Sequence, residues 1–181
     1  LLVSNGFFEI KNNSLIPESS LKIFPIESKG QPVKLLNPLS QDLSIMRPNM
    51  LFSGLQTIKY NLNRQINDIK IFEFGKIYHK IDTKYVENEK LTILSSGIFK
   101  GNNWREDSKN TDFFFMKGVL DKLLDQFNLN HNFVSFQKFT QNYSTLGLTY
   151  LYDNNLIANV GMFSADILRN IGIKKSVYYI D

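Results

Sequence analysis

Few side chains in this 181-residue chain are of the types that make or break bonds, and their spacing does not suit such work. The absence of cysteine removes thiolate nucleophiles, disulfide frameworks, thiolate zinc sites and iron–sulfur clusters together, and leans towards a reducing compartment. His79 and His131 are the two histidines, far apart in sequence, so no multi-histidine metal set is expected and each reads as a surface or hydrogen-bonded side chain. Glu73 lies in the apolar run Ile71-Phe72-Glu73-Phe74. A carboxylate there is either an acid of raised pKa or a charge matched by Lys, Arg or a backbone donor, and the second reading is favoured. Gly75-Lys76 lacks the preceding glycine of a phosphate cradle, and no Gly-x-Ser-x-Gly elbow occurs. Trp104, after Gly101-Asn102-Asn103, is read as a loop anchor reaching the core, with stacking on a base or a partner as the alternative. No catalytic residue is assigned.

The charge balance is basic, with 21 Lys and Arg against 17 Asp and Glu, a net +4 and a pI near 9.1. The cations are scattered along the sequence, and Lys174-Lys175 is the one tight pair. Scattered lysine reads as a solvated surface, because phosphate binding needs the charges gathered on one face. No apolar run approaches the roughly 20 residues of a membrane span.

The elements that must hold these residues follow from periodicity. Short strands are expected over 7–16 and 33–36, joined by an irregular stretch containing Pro17 and Pro25. Pro48 suits the first turn of a helix in which Leu51, Leu55, Ile58 and Leu62 share a face, ending near Arg64. Gly54 inside it points to a close contact or to simple tolerance. Residues 69–81 and 91–99 read as strands with apolar side chains on both faces. Asp112 caps a helix carrying Met116, Leu120, Leu123 and Phe127 on one side. A strand near 133–139, a hairpin turning at Asp153-Asn154-Asn155, and a short helix between Ser164 and Gly172 complete the order. Strands in hairpins with helices inserted predict an α+β fold, an antiparallel sheet flanked by helices, in a single domain over 1–181.

The segments Val3-Ser4-Asn5-Gly6-Phe7-Phe8-Glu9-Ile10, Leu36-Asn37-Pro38-Leu39-Ser40 through Met46-Arg47-Pro48, and Asn61-Leu62-Asn63-Arg64 occur in that order. Phe72-Glu73-Phe74-Gly75, Gly97, Trp104, Phe113 to Val119 and the closing Val177-Tyr178-Tyr179-Ile180-Asp181 follow. Together they resemble the β subunit of bacterial phenylalanyl-tRNA synthetase across essentially the whole chain. One departure is Gln141-Asn142-Tyr143-Ser144-Thr145, where many members carry a His-Pro-Gly-Arg-like segment, so no role is transferred to it.

The resemblance implies a class II synthetase-like, catalytic-like module excised from a longer β subunit and cytoplasmic. The α subunit of an α2β2 assembly is implied as its partner, with tRNA bound through the whole complex, no membrane, and no cofactor here; ATP and magnesium serve the complete enzyme. Class II catalysis uses an Arg in a Phe-Arg-x-Glu strand, whereas this strand reads Phe72-Glu73-Phe74-Gly75. Asn37, Pro38, Leu39, Ser40, Met46, Arg47, Glu73 and Gly75 are the structural or α-interface candidates, and Trp104, Arg105, Lys174 and Lys175 the candidate RNA contacts of an alternative, non-catalytic tRNA platform. Arg47 precedes a helix whose dipole favours anions, so a carboxylate or several carbonyls of this chain should hold its charge, with the α subunit as the other possibility.

Overall fold

The computed structural model describes residues 1–25, 30–129, 131–139 and 141–181, with His131 described in its backbone alone. In chain order the elements are β1 (Phe8–Glu9), β2 (Leu15–Ile16), β3 (Ile45–Met46), α1 (Leu51–Leu62), β4 (Ile69–Ile81), β5 (Lys84–Ser96), β6 (Ile98–Lys100) and β7 (Lys109–Asn110). Then come α2 (Phe113–Gln126), β8 (Val134–Lys138), β9 (Ser144–Tyr152), β10 (Asn155–Phe163), α3 (Ala165–Ile171) and β11 (Val177–Ile180). Seven strands form the main sheet in the order β1-β4-β5-β11-β10-β9-β8, antiparallel except for the β1–β4 pair.

Alternation along the strands divides the core into two layers. Ile69, Ile71, Leu94, Val177 and Tyr179 face α1 and α3 and pack with Leu51, Leu55, Ile58, Leu168 and Ile171. Phe72, Ile93, Val160 and Ile180 face α2 and pack with Met116, Val119, Leu120 and Leu124. The root of the β4–β5 hairpin is thus buried on both sides, as its two-sided apolar pattern predicts. Beyond Glu73 the pattern fails, since Phe74 is 62 % exposed. Gly54 is a close contact: a Cβ there would lie 2.5 Å from Leu94 Cδ1. On the α2 side, Tyr150 donates to Asp121 Oδ1 (2.8 Å), and Lys117 Nζ donates to Asp121 Oδ2 (2.7 Å). Burial, followed by Asp121, drives the Tyr150 hydroxyl pKa far above its ordinary value.

Local signals held at several ends. Asp112 accepts from the Phe115 N–H (2.7 Å), Ser164 from the Ile167 N–H (3.4 Å), and Gly172 closes α3 in the left-handed conformation (φ 90°). Asp153 and Asn154, both at positive φ, turn the β9–β10 hairpin. Other expectations are corrected. Residues 7–16 form two dipeptide strands separated by an extended link, and 33–36 contribute a lone bridge from Lys34 to Ile45, because Asn and Pro interrupt the ladders. Pro48 stands outside α1, which starts at Leu51 after Met50. The strand expected at 91–99 begins at Lys84 and pairs with β4 across Asp82-Thr83, where Asp82 takes φ 53°. Phe127 lies beyond α2 and is 71 % exposed; Val119 and Leu124 hold the buried positions instead.

Candidate functional site

The most constrained polar cluster lies where β3 hands the chain to α1. The Arg47 N–H donates to Ser14 O (2.8 Å) and its carbonyl accepts from Tyr78 N–H (2.9 Å), so its backbone is clamped between β4 and the residue that precedes β2. Arg47 Nη1 donates to Glu73 Oε1 at 2.7 Å, and Nε donates to Lys76 O at 3.0 Å. Both side chains of the pair are 3 % exposed. The expected internal carboxylate is therefore Glu73, and the favoured reading of Glu73 as a matched charge holds.

Glu73 is shared further. Asn12 donates to it from Nδ2 (2.8 Å to Oε2) and from its backbone N–H (3.2 Å to Oε1), while Thr57 Oγ1 of α1 donates to Asn12 Oδ1 (2.9 Å). Two segments besides its own strand meet on this carboxylate, and α1 is tied to one of them through Thr57. Gly75, two residues along the same face of β4, makes the space: a Cβ there would overlap Arg47 Nη2 and lie 2.7 Å from Met50 Sδ. Asn12 and Thr57 were not singled out in the sequence, because a lone Asn in a polar run and a Thr on a helix carry no sign of a partner 61 or 45 residues away.

Beside the pair is a cleft of about 590 Å³, lined in part by Lys11, Ser14, Lys76, Tyr78, Glu89 and Lys90. Its charges are largely matched within the chain: Lys76 binds Glu87, and Lys90 binds Asp181 (3.2 Å), which also accepts from Thr92 Oγ1 (2.7 Å). The cluster holds segments together rather than presenting an acid–base couple. Among the described residues no group of three or more His, Asp and Glu side chains is arranged to hold a metal ion.

The other candidates lie apart from it. Met46 is half-buried in the β2–β3 pair opposite Leu15. Asn37, Pro38, Leu39 and Ser40 form an exposed loop in which Leu36 and Leu39 are 97 % and 96 % exposed. Trp104 is 87 % exposed, which overturns its expected role as a core anchor, and Arg105 stacks on its ring with Cζ at 4.6 Å from the centroid. Lys174 and Lys175 are exposed in the turn before β11. His79 is half-buried, and the side chain of His131 lies outside the described residues.

The family model of the phenylalanyl-tRNA synthetase β-chain CLM domain matches residues 1–181. The chain belongs to that family. Among its relatives is the phenylalanine–tRNA ligase β subunit of Bacteroides thetaiotaomicron, 32 % identical over 190 residues, covering 99 % of this chain and 23 % of that protein. The β subunit of Thermotoga maritima is 28 % identical over 176 residues, covering 97 % and 22 %. This CLM-family chain thus spans about a quarter of the length of the curated relatives it matches. A solved pyrrolysyl-tRNA synthetase of Desulfitobacterium hafniense superposes with a TM-score of 0.71 at 16 % identity, covering 99 % of this chain and 58 % of that one. That likeness shows the class II synthetase-like fold expected from the sequence. No described helix is long and apolar enough to cross a membrane.

Proposed function

We propose that this CLM-family chain is a non-catalytic module of phenylalanine–tRNA ligase that docks on and supports the catalytic α subunit of an α2β2 enzyme. Phenylalanine, ATP and magnesium are then bound elsewhere in the complete enzyme, which carries tRNA through its other parts as well. The observation that carries this reading is the Arg47–Glu73 pair. At the strand where class II catalysis uses an arginine toward ATP, this chain has a carboxylate, and the nearby guanidinium is tied to it at 3 % exposure. A triphosphate would have to compete with an internal ion pair whose rupture strands a buried charge.

Docking is supported by the Leu36–Leu39 loop. Two leucines exposed almost completely, with Pro38 limiting the loop's freedom, suit burial against a partner, each worth about 1.5 to 3 kcal/mol when fully covered. Capture of the α subunit by the complete β subunit is the test. Leu36→Ser/Leu39→Ser should weaken capture at least tenfold while leaving the melting temperature in place. Calorimetric titration of the β subunit alone with ATP should show no binding tighter than about 1 mM, and submillimolar ATP binding abolished by Arg47→Ala would overturn the non-catalytic reading.

A further inference from the structure

We propose that one end of the main sheet is an RNA-binding face, with Trp104 stacking on an unpaired base. Ile69, Ser96 and Val177 lie side by side in register at the ends of β4, β5 and β11. The segments flanking them therefore emerge together: the end of α1 and its turn into β4, the β6–β7 hairpin, and the turn before β11. Residues 59–70, 97–112 and 172–176 hold eight of the 21 Lys and Arg and four of the 17 acids, leaving 13 of each in the rest of the chain. The net +4 that looks scattered along the sequence is gathered here by the fold.

These cations are also poorly matched. Lys174 and Lys175 are exposed and make no ion pair among the described residues, and Lys100 and Lys109 share the single carboxylate of Glu106, at 2.6 and 3.6 Å. Between the latter two in the sequence comes Trp104, presented by an ordered loop. Asn103 Oδ1 accepts from the N–H groups of Arg105 (2.9 Å) and Glu106 (3.0 Å), and Asn103 N–H donates to Glu106 O (3.0 Å). All residues from 101 to 110 are exposed, and none but Trp104 is a large apolar side chain. An anchor for an apolar protein groove would be expected to carry an apolar surround. The same face exposes Tyr60, with Arg64 Cζ at 3.4 Å from its ring centroid, and Ile66; two rings, each with a stacked guanidinium, inside a cationic rim match a polyanion that offers flat bases.

The choice of RNA over DNA rests on the chain's reading as part of a tRNA ligase; the charge and stacking arguments do not. The test uses the complete enzyme, a labelled unmodified tRNA transcript and a single-stranded RNA of about ten nucleotides, followed by fluorescence anisotropy from about 50 to 200 mM salt. Trp104→Ala should weaken binding about fivefold or more at fixed salt with its salt slope kept. Lys174→Gln/Lys175→Gln should lower the slope of log affinity against log salt by about 1 to 2. Lys80→Gln/Lys84→Gln, at the far tip of the β4–β5 hairpin, should change neither. Unaltered affinity and slope in the first two variants, or equal effects in all three, would overturn the proposal. So would loss of α-subunit capture with RNA binding intact, which assigns the face to a protein. Because capture by the unsubstituted enzyme is read on the same samples, failure of the docking reading is seen separately.

Discussion

The two ends of the β4–β5 hairpin treat charge in opposite ways. Towards its tip, Arg47, Lys76 and Lys90 are matched to Glu73, Glu87 and Asp181 within the chain, and the first pair is sealed from solvent. At its root, cations outnumber acids two to one, most are exposed, and the chain's single tryptophan stands among them. The contrast separates two uses of the same residue types. A buried, matched charge fixes where segments meet, whereas an exposed, unmatched one stays available to a partner.

If that contrast is sound, the largest effect comes from breaking the sealed pair. Arg47→Ala or Glu73→Ala leaves an uncompensated buried charge and should cost about 3 to 5 kcal/mol. That lowers the melting temperature by about 6 to 20 °C in a chain of this size. The sequence alone suggests about 1 to 3 kcal/mol for Arg47→Ala; the 3 % exposure of both partners raises it. Arg47→Met/Glu73→Leu should recover most of the loss, and a single substitution without thermal effect would erase the distinction between the two ends.

Gly75→Ala tests the same end by crowding. The added methyl collides with Arg47 Nη2, so a loss of about 1 to 3 kcal/mol is expected in denaturant melts. In a double-mutant cycle with Arg47→Ala the two losses should be less than additive. Additive losses would mean that the glycine serves the backbone rather than the guanidinium.

The smallest effect belongs to the other end. Lys100, and after it Lys109, hold the Glu106 carboxyl below the usual carboxylate range. Any stability it adds is therefore present above the ordinary carboxylate pKa and is lost as pH falls through the lower folded value. Glu106 is solvent-exposed, so Glu106→Gln should change the melting temperature at neutral pH very little and slightly flatten its decline in acid. It should also steepen the salt dependence of RNA binding by releasing two lysines. A large thermal loss would show that this end, too, is held by its charges.

Much of the framework was legible in short stretches. The helix faces of Leu51, Leu55 and Ile58 and of Met116 and Leu120, the Asp112 and Ser164 caps, the Gly172 stop and the Asp153-Asn154 turn are local signals read within a few residues. Asp82 favours a turn, but Thr83 stands where a tight hairpin signal has Gly, so the Asp82-Thr83 turn and the half of β5 that follows it are not evident from the sequence. Within the candidate site, the sequence placed Arg47 and Glu73 as charges needing partners but did not join them.

Periodicity, capping and turn chemistry depend on residues a few positions apart, so the sequence by itself determined that this chain forms an antiparallel sheet with helices packed on it. Which charge meets which depends on contacts 26 to 61 residues apart in the chain, as between Arg47, Glu73 and Asn12. Only the tertiary structure, by setting β4 beside the β3–α1 junction and aligning Ile69, Ser96 and Val177, decided that one set of cations is buried with its carboxylate and another is gathered at a single face. Electrostatic energy depends on distance through space and on solvent exposure, and neither can be read from order along a chain.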